Sequence, residues 1–213
     1  MVAMQKTFAK VLYTRLDSQN EINFENVLPT RVIDHCQQKY HTQDAQKRSL
    51  YGYYLAYTLL KNERIEDDIQ WNKDGKPYLK KGIYISISHT DNLIAACLSN
   101  VNIGIDVETK SKVDIILSKK LLDSCSQKKY DTLNTDSEKI DFLAKIWCLK
   151  ESLIKLDVGF TLADLKKITI QKENDLYILI EKYYGRIFNF EEEYLTLVFE
   201  EDINNVEIEE LKK

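Results

Sequence analysis

The sequence predicts an α+β protein built as a pseudo-twofold pair of similar subdomains, each an antiparallel sheet with helices packed on it. Apolar residues recur at helical spacing in long segments and alternate with polar residues in short ones. The order strand, helices, antiparallel strands also occurs twice along the chain. We therefore expect an N-terminal subdomain at residues 1–102 and a C-terminal subdomain at residues 103–213.

The N-terminal subdomain begins with a predicted strand at Phe8–Leu16, which is rich in β-forming residues. A first helix is predicted at Glu25–Gln38. A stronger helix is predicted at Gln43–Lys61, with Thr42 available as its N-cap. After a turn, a hairpin is predicted whose strands end at Ser88 and begin again near Leu93.

The C-terminal subdomain repeats that order. A predicted strand at Ile103–Glu108 is followed by helices at Ser111–Tyr130 and Ser137–Leu156. The remaining candidate strands are Lys167–Gln171, Leu176–Ile180, Ile187–Glu191 and Tyr194–Phe199.

Composition excludes several classes of protein. The 213 residues carry a net charge of -4, which argues against general affinity for nucleic acid or for an anionic membrane. No apolar run is long enough to span a bilayer, and Met1–Leu16 has no uninterrupted core of signal-peptide length. The four cysteines form no C-x-x-C pair, so we interpret them as buried thiols in a reducing compartment. We expect a cytoplasmic protein.

The predicted strand Ile103–Glu108 places two carboxylates on one face. Apolar residues occupy every second position, and the positions between them hold Gly104, Asp106 and Glu108. The Cα atoms of the two acidic residues lie roughly 7 Å apart at the usual rise of a strand. Two negative charges at that distance repel by about 2 kcal/mol at an effective dielectric constant near 20. A positive group is expected between them, although an exposed acidic ladder remains the alternative.

The segment Trp147–Lys155 is predicted to form a helix with an apolar face and a charged face. Glu151 and Lys155 point away from the side that carries Leu149 and Leu153. Taken alone, this charged pair is a surface i,i+4 interaction of about 0.2–0.5 kcal/mol. If Glu151 lies beside Asp106 and its neighbour Glu108, however, the three carboxylates suit a hard divalent cation. Mg²⁺, or Mn²⁺ in its place, would bring phosphate oxygens as further ligands.

The segment Gly104–Glu108 followed by Trp147–Lys155 resembles the two signature motifs of the 4'-phosphopantetheinyl transferase superfamily. The chain length indicates the long, surfactin-synthetase-activating type. The resemblance implies transfer of the 4'-phosphopantetheine arm of coenzyme A to a serine of an apo acyl- or peptidyl-carrier protein, with release of 3',5'-ADP. It also implies a metal ion held by Asp106, Glu108 and Glu151.

The resemblance assigns further residues. The implied catalytic residues are Glu151, Lys155 and Asp106. The implied coenzyme A contacts are Arg48 in an R-x-L-x-G setting, the tripeptide Gly75, Lys76 and Pro77, the pair Ser88 and His89, and Lys155. Lys150, the other nearby mobile cation of the motif helix, is a further candidate for contact with coenzyme A. Read without the family, Arg48 is a solvated cation, the tripeptide is a surface turn and His89 is a structural residue at a strand end. We interpret Trp147 as the packing anchor of the helix.

Two regions depart from the family or extend it. Longer members often hold the 3'-phosphate of coenzyme A with lysines on the first helix, and here the nearest candidates are Arg31, His35 and Lys39. The region 111–137 is first interpreted as a core helix. In the family this region forms part of the carrier-protein platform, so the resemblance implies that an exposed apolar patch here would suit an acidic carrier helix beside Lys119, Lys120, Lys128 and Lys129.

Two other functions stay open at this point. A magnesium-dependent phosphohydrolase would share the acidic residues and use water in place of a serine. A non-catalytic module that binds coenzyme A or a carrier protein would have no reason to keep three mutually repelling carboxylates. The transferase is the preferred interpretation, and we expect it to act as a monomer.

Overall fold

The computed structural model describes residues 7–16, 22–156, 159–203 and 205–211. The chain divides into two compact units, of which the second runs from Asn102 to Asp202. The first unit comprises the part of the chain before Asn102 together with residues 203–213. Each unit contains a sheet with helices packed on it, which confirms the α+β class. Residues 1–6, which belong to the segment expected to lack a signal peptide, are outside the described residues.

The described strands and helices have the following bounds. The strands are β1 (Ala9–Arg15), β2 (Gln70–Trp71), β3 (Pro77–Tyr78), β4 (Tyr84–His89), β5 (Leu93–Ser99), β6 (Ile103–Thr109), β7 (Ile170–Glu173), β8 (Leu176–Leu179), β9 (Tyr183–Phe190), β10 (Glu193–Phe199) and β11 (Val206–Glu210). The α-helices are α1 (Thr30–Lys39), α2 (Gln43–Asn62), α3 (Ser118–Leu121), α4 (Ser124–Asp131) and α5 (Asp136–Lys155).

The sheet of the first unit has the strand order β11-β1-β5-β4. Strand β1 pairs antiparallel with β5 and parallel with β11. The sequence predicts residues 203–213 to be part of the C-terminal subdomain, whereas β11 completes the sheet of the first unit. The assignment missed the strand because its partner, β1, lies almost the whole chain length away.

Helix α2 provides the buried layer beneath this sheet. Thr42 caps it as predicted, with its side chain accepting from the backbone N–H of Ala45 at 3.3 Å. Leu55 and Ala56 are fully buried against the sheet. Helix α1 begins only at Thr30, because Pro29 occupies the N-cap and the residues before it form a short 3-10 turn. The predicted helix at Glu25–Gln38 therefore started several residues too early.

The sheet of the second unit is antiparallel, with the strand order β6-β10-β9-β8-β7. Helix α5 packs on it through fully buried apolar side chains such as Leu143, Leu149 and Leu153. A capping box fixes the start of α5: Thr135 accepts from the N–H of Glu138, and the Glu138 carboxylate accepts from the N–H of Thr135.

The segment predicted as one helix at Ser111–Tyr130 is instead broken into short pieces. Asp114 caps a 3-10 turn at Ile115–Leu117, and Asp123 caps α4 by accepting from the N–H groups of Cys125 and Ser126. Each aspartate starts a new helical segment because its side chain satisfies N–H groups that have no partner inside the helix. In the described part of the chain, none of the helices has the length and apolar character needed to span a membrane.

Candidate active site

The candidate site is built where α5 crosses β6. A Cβ atom added to Gly104 of β6 would lie 2.0 Å from the backbone carbonyl oxygen of Ser152 of α5. Real Cβ atoms do not approach that closely, so a glycine is required for this crossing. The glycine of the first motif therefore brings the helix of the second motif directly onto the strand.

A buried polar network holds α5 at this distance. The hydroxyl of Thr196 on β10 donates to the carbonyl oxygen of Cys148 at 2.8 Å. The hydroxyls of Thr196 and Ser152 lie 2.6 Å apart. All three side chains are fully buried. Because unsatisfied buried polar groups are costly, this network specifies one position of the helix on the sheet.

The three predicted carboxylates lie close enough to influence one another. Asp106 is buried, and its β10 neighbour is Thr196. Burial raises the pKa of Glu151 to about 7; the charges of Asp106 and Glu108 add to this rise, and Lys155 opposes it. The interaction of a helix carboxylate with both strand carboxylates supports the predicted convergence of the two motifs.

Glu108 is held by donors from its own strand and from the helix. Burial and the charge of Asp106 raise the pKa of Glu108, while hydrogen bonds from the Thr109 N–H and the Trp147 side chain lower it. The Thr109 nitrogen lies 2.9 Å from Oε1 of Glu108. Trp147, interpreted from the sequence as a packing anchor, thus also contacts a candidate metal ligand. Sequence periodicity carries no signal for this contact.

Lys155 supplies positive charge to the cluster. Its Nζ lies 2.7 Å from Oδ1 of Asp106, and 29% of the lysine side chain is exposed. The positive group expected between the carboxylates is therefore provided in part by the chain itself. Within the described residues, no group of three or more histidine, cysteine, aspartate or glutamate side chains is arranged to hold a metal ion.

The position of Lys150 differs from the predicted one. Its place next to Glu151 on the motif helix predicted a contact with coenzyme A, but this lysine is fully buried. Its Nζ donates to the carbonyl oxygens of Leu121 and Leu165, each at 2.7 Å, and lies 3.8 Å from a carboxylate oxygen of Asp123. Lys150 points into the apolar interior of the unit because it lies about 100° around the helix from Glu151. Its ammonium group is therefore not placed to reach a ligand at the surface.

The remaining predicted residues lie in the first unit. Arg48 of α2 forms an ion pair with Asp91 at 3.2 Å, which brings it to the turn that follows His89. Ser88 is buried and precedes His89 at the end of β4. The structure thus groups Arg48, Ser88 and His89 around one hairpin.

The tripeptide Gly75, Lys76 and Pro77 lies where the chain turns into β3. The side chain of Asn72 organises this turn by accepting from the N–H groups of Asp74 and Lys76 at 3.0 and 2.9 Å. Gly75 has a φ of 78°, a backbone conformation that favours glycine. Its carbonyl oxygen accepts from Nζ of Lys39 at 3.3 Å.

The cations of the first helix have partners within their own unit. Arg31 donates to the carbonyl oxygen of Ile69 at 2.6 Å and also contacts Asp68. The ring of His35 stacks on Trp71 with centroids 4.1 Å apart. Lys39 is the exposed member of the three candidates for the 3'-phosphate.

Comparisons with known proteins point to one family. Residues 102–203 match the family model described as the 4'-phosphopantetheinyl transferase superfamily. The chain is 27% identical over 158 residues to 4'-phosphopantetheinyl transferase gsp of Aneurinibacillus migulanus, a match covering 68% of this chain and 64% of that protein. It is 25% identical over 216 residues to 4'-phosphopantetheinyl transferase Sfp of Bacillus subtilis (strain 168), covering 92% of this chain and 95% of that protein.

Solved structures give weaker matches. Holo-ACP-synthase from Plasmodium yoelii aligns with a TM-score of 0.38 at 18% identity, covering 46% of this chain and 91% of that chain. Thermotoga maritima holo-[acyl-carrier-protein] synthase aligns with a TM-score of 0.39 at 18% identity, covering 48% of this chain and 64% of that chain.

Proposed function

We propose that the chain, whose residues 102–203 match the family model of the 4'-phosphopantetheinyl transferase superfamily, transfers the 4'-phosphopantetheine arm of coenzyme A to a serine hydroxyl of an apo carrier protein. The serine oxygen forms a bond to the β-phosphorus, and the bond from that phosphorus to the departing 3',5'-ADP breaks. The observation that carries the proposal is the close approach of α5 to β6 at Gly104, together with the contact of Lys155 on α5 with Asp106 on β6, which places the charged side chains of both motifs in one cluster.

The chemistry of the donor set fits a divalent cation. Asp106, Glu108 and Glu151 offer the oxygen ligands that a hard divalent cation prefers, and Lys155 supplies only part of the positive charge beside them. We propose that these three residues hold Mg²⁺, or Mn²⁺ in its place. When bound, the ion neutralises charge on the pyrophosphate of coenzyme A.

Glu151 and Lys155 act on the reacting groups. Glu151 takes the serine proton directly or through a water; because a carboxylate that coordinates a cation is a poor base, a metal-bound water would be the alternative acceptor. Lys155 is partly exposed and can turn its ammonium group from Asp106 towards a phosphate oxygen. Phosphoryl transfer depends mainly on positioning and electrostatic stabilisation of the reacting groups, and we assign these roles to Glu151 and Lys155.

The first unit is proposed to contact coenzyme A. His89 ends β4 and Arg48 forms an ion pair with Asp91 in the turn that follows it, so both lie at the hairpin between β4 and β5. A guanidinium held in place suits recognition of a phosphate. The roles of Ser88, and of Gly75, Lys76 and Pro77, remain predictions from the resemblance.

Two properties of the whole protein remain proposals. The four cysteines are free thiols, and Cys36, Cys97 and Cys148 are buried, which supports a reducing compartment such as the cytoplasm. We also propose that the protein acts as a monomer. Size-exclusion chromatography with light scattering, at enzyme concentrations used in assays, tests the second proposal.

The function is tested by incubating the protein with coenzyme A, Mg²⁺ and a panel of apo carrier proteins. Intact-mass spectrometry should show a gain of one phosphopantetheine arm on the carrier, and EDTA should abolish it. Replacing the acceptor serine of the carrier with alanine is the matched control. Consumption of coenzyme A without any carrier modification would contradict the proposal and indicate hydrolysis.

A further inference from the structure

Lys150 is the buried cation of the second unit. None of its surface is exposed, and burial lowers its pKa to about 8, although the charge of Asp123 opposes the change. An ammonium group in such a place is tolerated only when its protons are bonded. Nζ meets this requirement with the carbonyl oxygens of Leu121 and Leu165, both at 2.7 Å.

The partners of Lys150 come from separate segments. Leu121 is the last residue of α3, where backbone carbonyls have no partner inside the helix. Leu165 belongs to the 3-10 turn Leu162–Lys167, which follows α5. Asp123, 3.8 Å away, is the N-cap of α4. One side chain of α5 therefore connects the segment between α3 and α4 to the segment that follows α5.

This connection fixes the rotation of α5 about its axis. Glu151 is the next residue, so the directions of the two side chains differ by about 100° and turn together. The network of Cys148, Ser152 and Thr196 holds the sheet side of the helix. Lys150 holds a second side through Leu121 and Leu165. With both sides held, Glu151 is kept beside Asp106.

We propose that Lys150 is a positioning residue: by tying the end of α3 and the turn Leu162–Lys167 to α5, it holds Glu151 in line with Asp106 and Glu108. This inference rests on the proposed function. It replaces the role predicted for Lys150 from its place on the motif helix, a direct contact with coenzyme A. The two roles differ in what the loss of the ammonium group would change.

The test substitution is Lys150→Met, which keeps the aliphatic length and removes the hydrogen-bond donors. Electron paramagnetic resonance measures the binding of Mn²⁺ in the absence of coenzyme A and carrier. The rate of carrier modification gives the KM for coenzyme A and the kcat. Positioning predicts Mn²⁺ affinity weaker by about tenfold, the size typical for losing a group that orients metal ligands. It also predicts a kcat lower by about 100-fold with the KM for coenzyme A nearly unchanged.

Hydrogen exchange provides a readout that does not depend on catalysis. In Lys150→Met the amides of Leu121–Gln127 and Leu162–Ile168 should exchange faster, because both segments lose the ammonium that holds their carbonyls. The amides of β4 and β5 in the first unit should be unaffected. Lys166→Met, which makes the same change of charge at an exposed position, should match the wild type throughout.

The outcomes separate the alternatives. A large rise in the KM for coenzyme A with unchanged Mn²⁺ affinity would overturn the proposal in favour of a direct ligand contact, and wild-type values in all measurements would also overturn it. If Lys150→Met does not fold, Asp123→Asn is used, since asparagine can still cap α4 while the charge near Nζ is lost. That variant should weaken Mn²⁺ binding in the same direction, and unchanged binding would overturn the proposal. Failure of the wild type to modify any carrier would instead refute the proposed function, and the Mn²⁺ and exchange measurements would still decide the role of Lys150.

Discussion

The carboxyl group of Glu151 couples the candidate site to pH. Its pKa rises from 4.5 to about 7 in the folded protein, mainly because it is buried and faces Asp106. Between these values the folded state binds more protons than the unfolded state, so the free energy of unfolding decreases as pH rises. The contribution of Glu151 to stability is thus full below pH 4.5 and is lost by about pH 7.

Glu151→Gln should remove this dependence. A neutral amide of the same shape does not titrate, so the fall in the free energy of unfolding from pH 4.5 to about 7 should be shallower than in the wild type. Urea denaturation in EDTA at a series of pH values measures it. Glu201→Gln, at an exposed position of the same unit, serves as the control and should keep the wild-type slope. Equal slopes for wild type and Glu151→Gln would refute the assignment.

Lys155→Met should change metal binding and catalysis in opposite directions. Without the ammonium group 2.7 Å from Asp106, the carboxylates lose their internal counter-ion. Mn²⁺ affinity should then rise by about tenfold, equivalent to about 1.4 kcal/mol, while carrier modification falls because a phosphate contact is lost. Electron paramagnetic resonance and the carrier assay give the two values. A variant that binds Mn²⁺ more weakly than the wild type would contradict the counter-ion role.

At the scale of secondary-structure elements, the crossing of α5 and β6 depends on Gly104. In Gly104→Ala the new Cβ meets the carbonyl oxygen of Ser152, which is backbone and cannot turn away. We expect a loss of stability of about 1–3 kcal/mol or more, as found for overpacked cores. Mn²⁺ affinity should fall as well, since Glu151 moves away from Asp106.

Gly82→Ala is the matched control for this substitution. Gly82 has a φ of 72° but no heavy atom within 4 Å of an added Cβ. Gly82→Ala should lower the free energy of unfolding only by the cost of placing alanine in a left-handed backbone conformation, roughly 1–2 kcal/mol. Urea denaturation compares the two. If Gly104→Ala were no more destabilising than Gly82→Ala and kept its Mn²⁺ affinity, the close approach of helix and strand would not matter for the site.

Elements with local signals could be predicted from the sequence. The start of α2 at Gln43 and the extent of α5 were predicted to within one residue, because Thr42 and the long apolar periodicities are local features. The break of Ser111–Tyr130 was missed. An aspartate such as Asp114 or Asp123 can lie on the exposed surface of a continuous helix or can cap the start of a new one. Tertiary packing decides between the two, so the sequence alone does not.

Contacts between residues that are far apart in the sequence limit how much of the candidate site could be predicted. The charge interaction of Glu151 with Asp106 and Glu108 was expected from the resemblance of the two motifs to the family signatures, because repulsion on the strand predicts only that a positive group is needed. Lys150 was assigned to the ligand because a lysine next to Glu151 has no sequence signal for burial. Its partners, Leu121 and Leu165, lie 29 and 15 residues away along the chain, so only the fold reveals them.

At the scale of the whole molecule, β11 belongs to a sheet whose other strands come from the first half of the chain. It pairs with β1 from Ala9 to Tyr13, and the N–H of Leu211 donates to the carbonyl oxygen of Tyr13 at 2.8 Å. Lys10 of β1 also contacts Glu207 at 3.2 Å. The first unit therefore depends on residues that follow the second unit in sequence.

A truncated chain that ends at Ile203 should lose protection against hydrogen exchange in some strands and keep it in others. Without β11, one side of β1 has unpaired backbone groups, so amides of β1 and β5 should exchange faster, while those of β9 and β10 keep their protection. Hydrogen exchange with mass spectrometry resolves the strands. Glu207→Gln, which removes only an ion pair, should change stability by less than about 0.5 kcal/mol. Equal acceleration in β9 and β10 would show that β11 stabilises both units.

The parallel pairing of β1 with β11 has a consequence for synthesis on the ribosome. The second unit, Asn102–Asp202, is contiguous and can fold as soon as it leaves the exit tunnel. The first unit must wait, with one side of β1 unpaired, until the final strand emerges. The nascent chain thus completes its later-translated unit before its earlier one, and the unpaired side of β1 is open to pairing with other chains during that interval.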